Sequence, residues 1–201
     1  MMKIAIFASG SGSNFQAIQD EIKKGRLDAS VELLVCDRKE AFVIERALQA
    51  QVPVFSFNPK EYGSKEEFET EIAEELRKRD VELLVLAGYM RLIGPTLLRA
   101  YPGRIVNIHP SLLPSFPGKD AISQAISAGV KVTGVTVHFV DEGMDTGPII
   151  AQEAVSIFQG EGAEDVAAKI HAVEHRLYPE VLGRFTKDVE FDATGRFTRM
   201  S

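Results

Sequence analysis

Residues 105–118 read Ile-Val-Asn-Ile-His-Pro-Ser-Leu-Leu-Pro-Ser-Phe-Pro-Gly. Asn107 and His109 are two apart in an apolar run, so on a strand both side chains point to one face and Val106 and Ile108 to the other. Pro110, Pro114 and Pro117 forbid an immediate helix and stiffen the loop that follows. A polar pair is therefore held at the carboxyl end of a strand. An asparagine amide can donate to a developing oxyanion, and a histidine can transfer a proton near neutral pH. Locally, the pair fits that chemistry or two strand-end capping groups. Further on, Val140-Asp141-Glu142-Gly143-Met144-Asp145-Thr146-Gly147-Pro148 places three acids in a glycine-containing loop. A carboxylate facing His109 would favour its imidazolium and orient the ring. A solvated turn is the alternative for these acids, and spacing alone does not choose between them.

Ser9-Gly10-Ser11-Gly12-Ser13-Asn14 forms a second constellation, between an apolar run and a helical pattern. Glycines let the backbone turn tightly and approach a ligand. The helix start adds unpaired N–H groups and a positive dipole end, which together suit a phosphate. One alternative is a tight turn with an ordinary N-cap, and another is a dinucleotide site, with Asp37 where a ribose-binding acid would stand. Phe15 occupies the position where that motif needs a small residue, which counts against it. His138, His171 and His175 lack the cysteine or carboxylate spacing of a zinc site, so no metal centre is expected. His171 and His175 read as a surface or partly buried helix pair. Cys36 reads as a small buried hydrophobe at a strand end.

These groups need elements to hold them. Strands are expected over 3–8, 31–36, 53–57, 83–87, 105–109, 132–139 and 149–155. Helices are expected over 14–24, 41–50, 66–79, 94–100, 121–128 and 164–185, the last broken near Pro179. Ser64 and Glu67 make a capping-box pattern. Glu74 and Glu75 each have a base four residues on, at Lys78 and Arg79. Residues 189–198 read as a small hairpin around Ala193–Gly195. Alternating strands and helices predict an α/β, Rossmann-like, mostly parallel twisted sheet flanked by helices. Its C-terminal part is expected to be antiparallel, because the later strands follow one another closely. One domain over 1–201 is expected, with a phosphate-binding half (1–100), a catalytic half (101–185) and a tail.

With 45% hydrophobic and 26% charged residues, the chain has the composition of an ordinary globular enzyme. No apolar run reaches the length of a membrane span. The short apolar start at residues 3–8 reads as a strand rather than a signal peptide. A net charge of -6 argues against a nucleic-acid partner. A lone cysteine fits a reducing, cytoplasmic setting.

Asn107-Ile108-His109-Pro110-Ser111-Leu112-Leu113-Pro114, followed at this spacing by Asp145-Thr146-Gly147-Pro148, resembles the two hallmark motifs of the folate-dependent formyltransferases. Gly10–Asn14, Leu86–Arg91 and Glu174–Pro179 support the resemblance, which runs from Met2 to about Phe185. Ser11 departs from the asparagine many relatives carry. The resemblance implies transfer of a formyl group from 10-formyltetrahydrofolate, as co-substrate, to a primary amine. The branch it points to formylates glycinamide ribonucleotide in purine biosynthesis. It selects Asn107, His109 and Asp145 as the catalytic trio. It implies that Gly12, Ser13 and Asn14 hold the substrate phosphate, and that Glu174, with His171, Ala172 and Val173 beside it, meets the ribose or glycinamide end. Lys65, Met90, Arg91, Leu92, Ile93 and Asn107 would contact the folate, joined by Val140, Asp141, Glu142, Gly143, Met144 and Asp145. Partners would be small molecules only, with the chain a monomer or homodimer. Formyltetrahydrofolate hydrolases, methionyl-tRNA formyltransferases and amino-sugar formyltransferases are the neighbouring alternatives, and the first two usually carry a further domain. A nucleotide-binding module without catalysis is the alternative of a different class.

Overall fold

The computed structural model describes residues 1–186 and, beyond them, the backbone at 189–191 and 197–200. In chain order the elements are β1 (Met2–Phe7), α1 (Ser13–Lys23), β2 (Ala29–Cys36), α2 (Val43–Gln49), β3 (Val54–Ser56), a 3₁₀ turn (Pro59–Glu61), α3 (Lys65–Lys78), β4 (Leu83–Leu86) and α4 (Pro95–Ala100). They continue as β5 (Ile105–His109), α5 (Ala121–Ser127), β6 (Val132–Phe139), β7 (Ile149–Ser156), α6 (Ala163–Phe185), β8 (Val189–Phe191) and β9 (Phe197–Met200). Seven strands form one sheet in the order β3-β2-β1-β4-β5-β6-β7. β1 runs parallel to β2 and β4, and β2 to β3, whereas β6 and β7 are antiparallel. This is the mixed Rossmann-like sheet that the alternation of elements predicts. Strands β5 and β6 have the expected boundaries, and the other elements differ by one or two residues. The chain divides into two compact units, Met1–Val106 and Asn107–Ser201.

In the first unit, Ile4 to Ala8 of β1 and the loop after it have no solvent exposure, and all of β4 is buried. Two apolar faces are what a central parallel strand requires. The chain order reverses across the sheet between β1 and β4, and loops that leave such a reversal point diverge and open a crevice at the strands' carboxyl ends. Ser9 and Ala87 begin those loops. Ser64 caps α3 by accepting from the Glu67 N–H at 3.2 Å, as its sequence pattern predicts, while the Glu67 carboxylate takes the Gly63 N–H at 2.9 Å. On the same helix Glu75 pairs with Arg79 at 2.5 Å as expected, but Lys78 reaches Glu75, at 2.8 Å, rather than Glu74.

In the second unit, β6 is buried from Thr133 to Phe139. Helix α5 stops where Gly129 adopts a left-handed φ of 70°. One expectation is overturned: α6 is not broken near Pro179 but runs unbroken over 23 residues. A proline there removes one helical N–H donor. Leu177, Tyr178, Val181 and Leu182 around it are all buried, and their packing holds the helical conformation through the proline. β8 and β9 pair antiparallel, as the hairpin expectation requires, and its turn lies outside the described residues.

Gly134 sits where β6 meets β7. A Cβ built on it would lie 2.1 Å from the Glu153 backbone oxygen and 2.6 Å from Leu112 Cδ2. Because backbone must move, Gly134→Ala is expected to cost roughly 1–3 kcal/mol of stability, as overpacked cores do. Chemical denaturation of the two proteins measures the difference.

Candidate active site

The sequence pattern of β5 delivers what it promised locally. His109 is buried and Asn107 half-buried at the strand's carboxyl end. The loop beyond is fixed by hydrogen bonds rather than by an element of its own. Ser111 donates to the Ser115 carbonyl at 2.6 Å, and Thr136 of β6 donates to the Ser111 carbonyl at 2.7 Å. Gln152 of β7 donates to the Leu113 carbonyl at 2.9 Å.

Asp145 completes the group. Its φ is 57°, a left-handed conformation that aspartate tolerates better than most residues. One carboxylate oxygen accepts the Gly118 N–H at 2.7 Å and lies 3.4 Å from His109 Nδ1. The other lies 3.7 Å from His138 Nε2. His109 Nε2 is 2.9 Å from the Phe116 carbonyl, so each ring nitrogen faces an oxygen. Burial is the largest influence on the Asp145 carboxyl and pushes its pKa up. Contact with His138, the Gly118 N–H and the charge of His109 together outweigh burial, and the pKa lies below the ordinary carboxylate value. Asp145 is therefore a carboxylate at neutral pH.

His138 is the member that sequence reasoning missed, having weighed it only as a metal ligand. Its Nδ1 lies 2.7 Å from the Phe139 carbonyl, and its Nε2 lies 3.2 Å from the Asn107 amide nitrogen. The ring thus orients the Asn107 amide. One signal was available: Thr136 and His138 alternate with Val135, Val137 and Phe139, so a strand buried on both sides carries a polar face. Of the other loop acids, Asp141 shapes the turn by accepting from the Gly143 N–H at 3.0 Å and the Thr146 hydroxyl at 2.7 Å. Glu142 and Met144 are exposed, and Val140 and Gly143 are half-exposed.

On α6, His171 Nδ1 lies 3.0 Å from the Glu174 carboxylate, while Ala172 is exposed and Val173 half-buried. The His171 and His175 rings stack 6.2 Å apart, with His171 exposed and His175 half-buried, which is the surface or partly buried helix pair read from the sequence. The Glu174 bond raises the His171 pKa above its ordinary value, against the opposing effect of burial. Among the described residues, no group of three or more His, Cys, Asp or Glu side chains is placed to hold a metal ion.

In the first unit the glycine loop joins β1 to α1. Its carbonyls are occupied: Gly10 O accepts from the Val43 N–H at 3.1 Å, Ser11 O from Arg46 Nε at 2.9 Å, and Gly12 O from the Gln16 N–H at 2.9 Å. Helix α1 starts at Ser13 directly after this loop, and a helix start is where backbone donors are available to an anion. Gly12 has φ 74°, and a Cβ there would stand 2.5 Å from Val43 Cγ2, so α2 packs directly on the turn. Asp37 is not available to a ribose. Its side chain is 4% exposed and accepts from the Ser9 hydroxyl and from Arg91 Nε. Phe15 is fully buried as well, and the dinucleotide alternative loses both of its requirements. Met90, Arg91 and Leu92 are exposed and Ile93 is buried, and Lys65 is exposed at the first residue of α3.

A sheet with a reversal point, a glycine turn at a helix start and an Asn–His–Asp cluster suit a group-transfer enzyme, and comparison with known proteins names the class. Residues 2–182 match the family model described as formyl transferase, and the chain belongs to that family. The phosphoribosylglycinamide formyltransferase of Bacillus subtilis (strain 168) is 59% identical over 90% of this chain and 93% of its own. That of Escherichia coli (strain K12) is 37% identical over 92% of this chain and 87% of its own. Among solved structures, glycinamide ribonucleotide transformylase 1 from Geobacillus kaustophilus superposes with a TM-score of 0.90 at 64% identity, covering 92% of this chain and 98% of that one.

His171 yields a pH test. A raised folded pKa stabilises the protein below the unfolded value, about 6.5, and that contribution is lost as pH rises through the folded pKa. The melting-temperature advantage of wild type over His171→Gln is expected at pH 6 and to shrink as pH rises toward 9. An advantage that does not change with pH would refute this.

Proposed function

We propose that this protein transfers the formyl group of 10-formyltetrahydrofolate to the primary amine of glycinamide ribonucleotide, in purine biosynthesis and in the cytoplasm. The observation that carries the proposal is the convergence of Asn107, His109 and Asp145 in a chain of the formyl transferase family. The amine nitrogen attacks the formyl carbon, and the carbonyl oxygen becomes an oxyanion. One Asn107 N–H is aimed at His138, and the second is assigned to that oxyanion. His109 supplies the other donor by turning its Nε2–H from the Phe116 carbonyl to the ligand. Asp145 keeps the ring charged and in place throughout. Collapse of the tetrahedral adduct breaks the carbon–nitrogen bond to the folate, with one proton leaving the amine and one reaching the folate nitrogen.

The donor cradle at Gly12, Ser13 and Asn14 suits the phosphate of the ribonucleotide, and the Glu174 carboxylate, with His171, Ala172 and Val173 beside it, suits its ribose or amine end. For the folate we assign Lys65, Met90, Arg91, Leu92, Ile93, Asn107 and Val140 through Asp145, on the family resemblance. The exposed apolar side chains Met90, Leu92 and Met144 support that assignment, because a pterin needs apolar surface to leave water. Small molecules are then the only partners the activity requires, and no metal enters the chemistry.

Losing one oxyanion donor costs roughly 10²–10³ in rate. Asn107→Ala is expected to lose turnover on that scale, and Asp145→Asn to lose it heavily, both with unchanged melting temperature. Formyl transfer from 10-formyltetrahydrofolate to glycinamide ribonucleotide measures this, and near-normal turnover of either variant refutes the roles given. A parallel run without the amine tests the acceptor: folate deformylation at the same rate would make water the acceptor instead.

A further inference from the structure

We infer that Asp37 is a positioning residue for the formyl donor, tying the loop after β1 to the segment proposed to bind folate. The inference rests on the proposed function and extends it to a residue outside the assigned site. Asp37 follows β2, the neighbour of β1. One carboxylate oxygen accepts the Ser9 hydroxyl proton at 2.5 Å, and the other accepts Arg91 Nε–H at 2.9 Å. The Ser9 hydroxyl oxygen in turn accepts the Met90 N–H at 2.9 Å, and the Ser9 N–H donates to the Gly88 carbonyl at 3.0 Å. The carboxyl ends of β2, β1 and β4 are thereby joined through one buried carboxylate.

Residues 90–92 need such a device. Met90 is 57% and Leu92 48% exposed, so packing does not set their conformation. Hydrogen bonds at the two ends do. Asp37 and Ser9 hold the start at Met90 and Arg91. Glu69 holds the far end, accepting the Gly94 N–H at 2.6 Å. Burial raises the Glu69 pKa, yet backbone donors of the α4 start converge on its carboxyl. A segment fixed at both ends with its apolar side chains in water is preorganised for a ligand, and the ordering cost is met in folding rather than in binding. Arg91 turns only Nε toward Asp37, and its side chain stays 39% exposed.

Asp37→Asn separates positioning from bulk. The amide oxygen still accepts from Ser9, but its N–H₂ group then opposes the Arg91 Nε–H. Ser9→Ala removes the acceptor of the Met90 N–H by a second route. Hydrogen bonds to charged groups are strong enough that each variant is expected to weaken tetrahydrofolate binding roughly tenfold or more. The KM for the formyl donor rises in step for Asp37→Asn, while kcat and the KM for the ribonucleotide stay within about twofold. Isothermal titration with tetrahydrofolate, steady-state kinetics in both substrates and thermal melting provide the readouts. Wild-type affinity for tetrahydrofolate in both folded variants overturns the inference. So does a loss spread equally over both substrates with a lowered melting temperature, which a merely structural ion pair would produce. If wild type itself binds no tetrahydrofolate, the proposed function fails, and the inference with it.

Discussion

The parallel pairing of β1 with both β2 and β4 is the constraint on which the first unit rests. A strand covered on both faces must be apolar on both, and Ile4 to Ala8 are without exposure. Polar chemistry is thereby excluded from the body of the sheet and pushed to its carboxyl edge. The first residue past β1 with a polar side chain, Ser9, is bound at once by Asp37 and by the Met90 N–H. The glycine loop follows, with its carbonyls taken by α2, Arg46 and α1.

In the second unit the equivalent role falls to one carboxylate. Asp145 accepts from Gly118 and stands beside two histidines, which outweighs the effect of its burial and keeps it ionised. A buried charge is tolerable only with such partners. The two rings are each held from both sides: His109 between Asp145 and the Phe116 carbonyl, His138 between the Phe139 carbonyl and the Asn107 amide. The cluster acts as a unit, and substitution at any member disturbs the donors the others present.

Much of this was legible before any coordinates. The period of two around Asn107 and His109 set their shared face, and the β-branched run set β5 to its observed ends. The break predicted at Pro179 failed because local propensity was weighed without the packing of Tyr178, Val181 and Leu182, which only a folded neighbour supplies. His138 went unassigned because its meaning depends on which strand lies beside β6. Asp37 was read as a possible ribose ligand from its position after a strand, a position that a ribose acid and an internal anchor share.

The sequence by itself determined the elements, the α/β class, the polar pair on β5 and the glycine turn before α1, because each follows from spacing along a few residues of chain. The motifs further selected Asp145 from three acids, by resemblance and not by local chemistry. Only the tertiary structure decided that Asp145 meets His109 and His138, that Asn107 is oriented by a histidine on another strand, and that Asp37 is spent on Ser9 and Arg91. Except for His138 and Asp145, which are near in sequence, those contacts join residues between 28 and 54 positions apart, as Ser9–Asp37 and Asp37–Arg91 show. Their geometry is set by strand order and loop conformation, which no local pattern encodes.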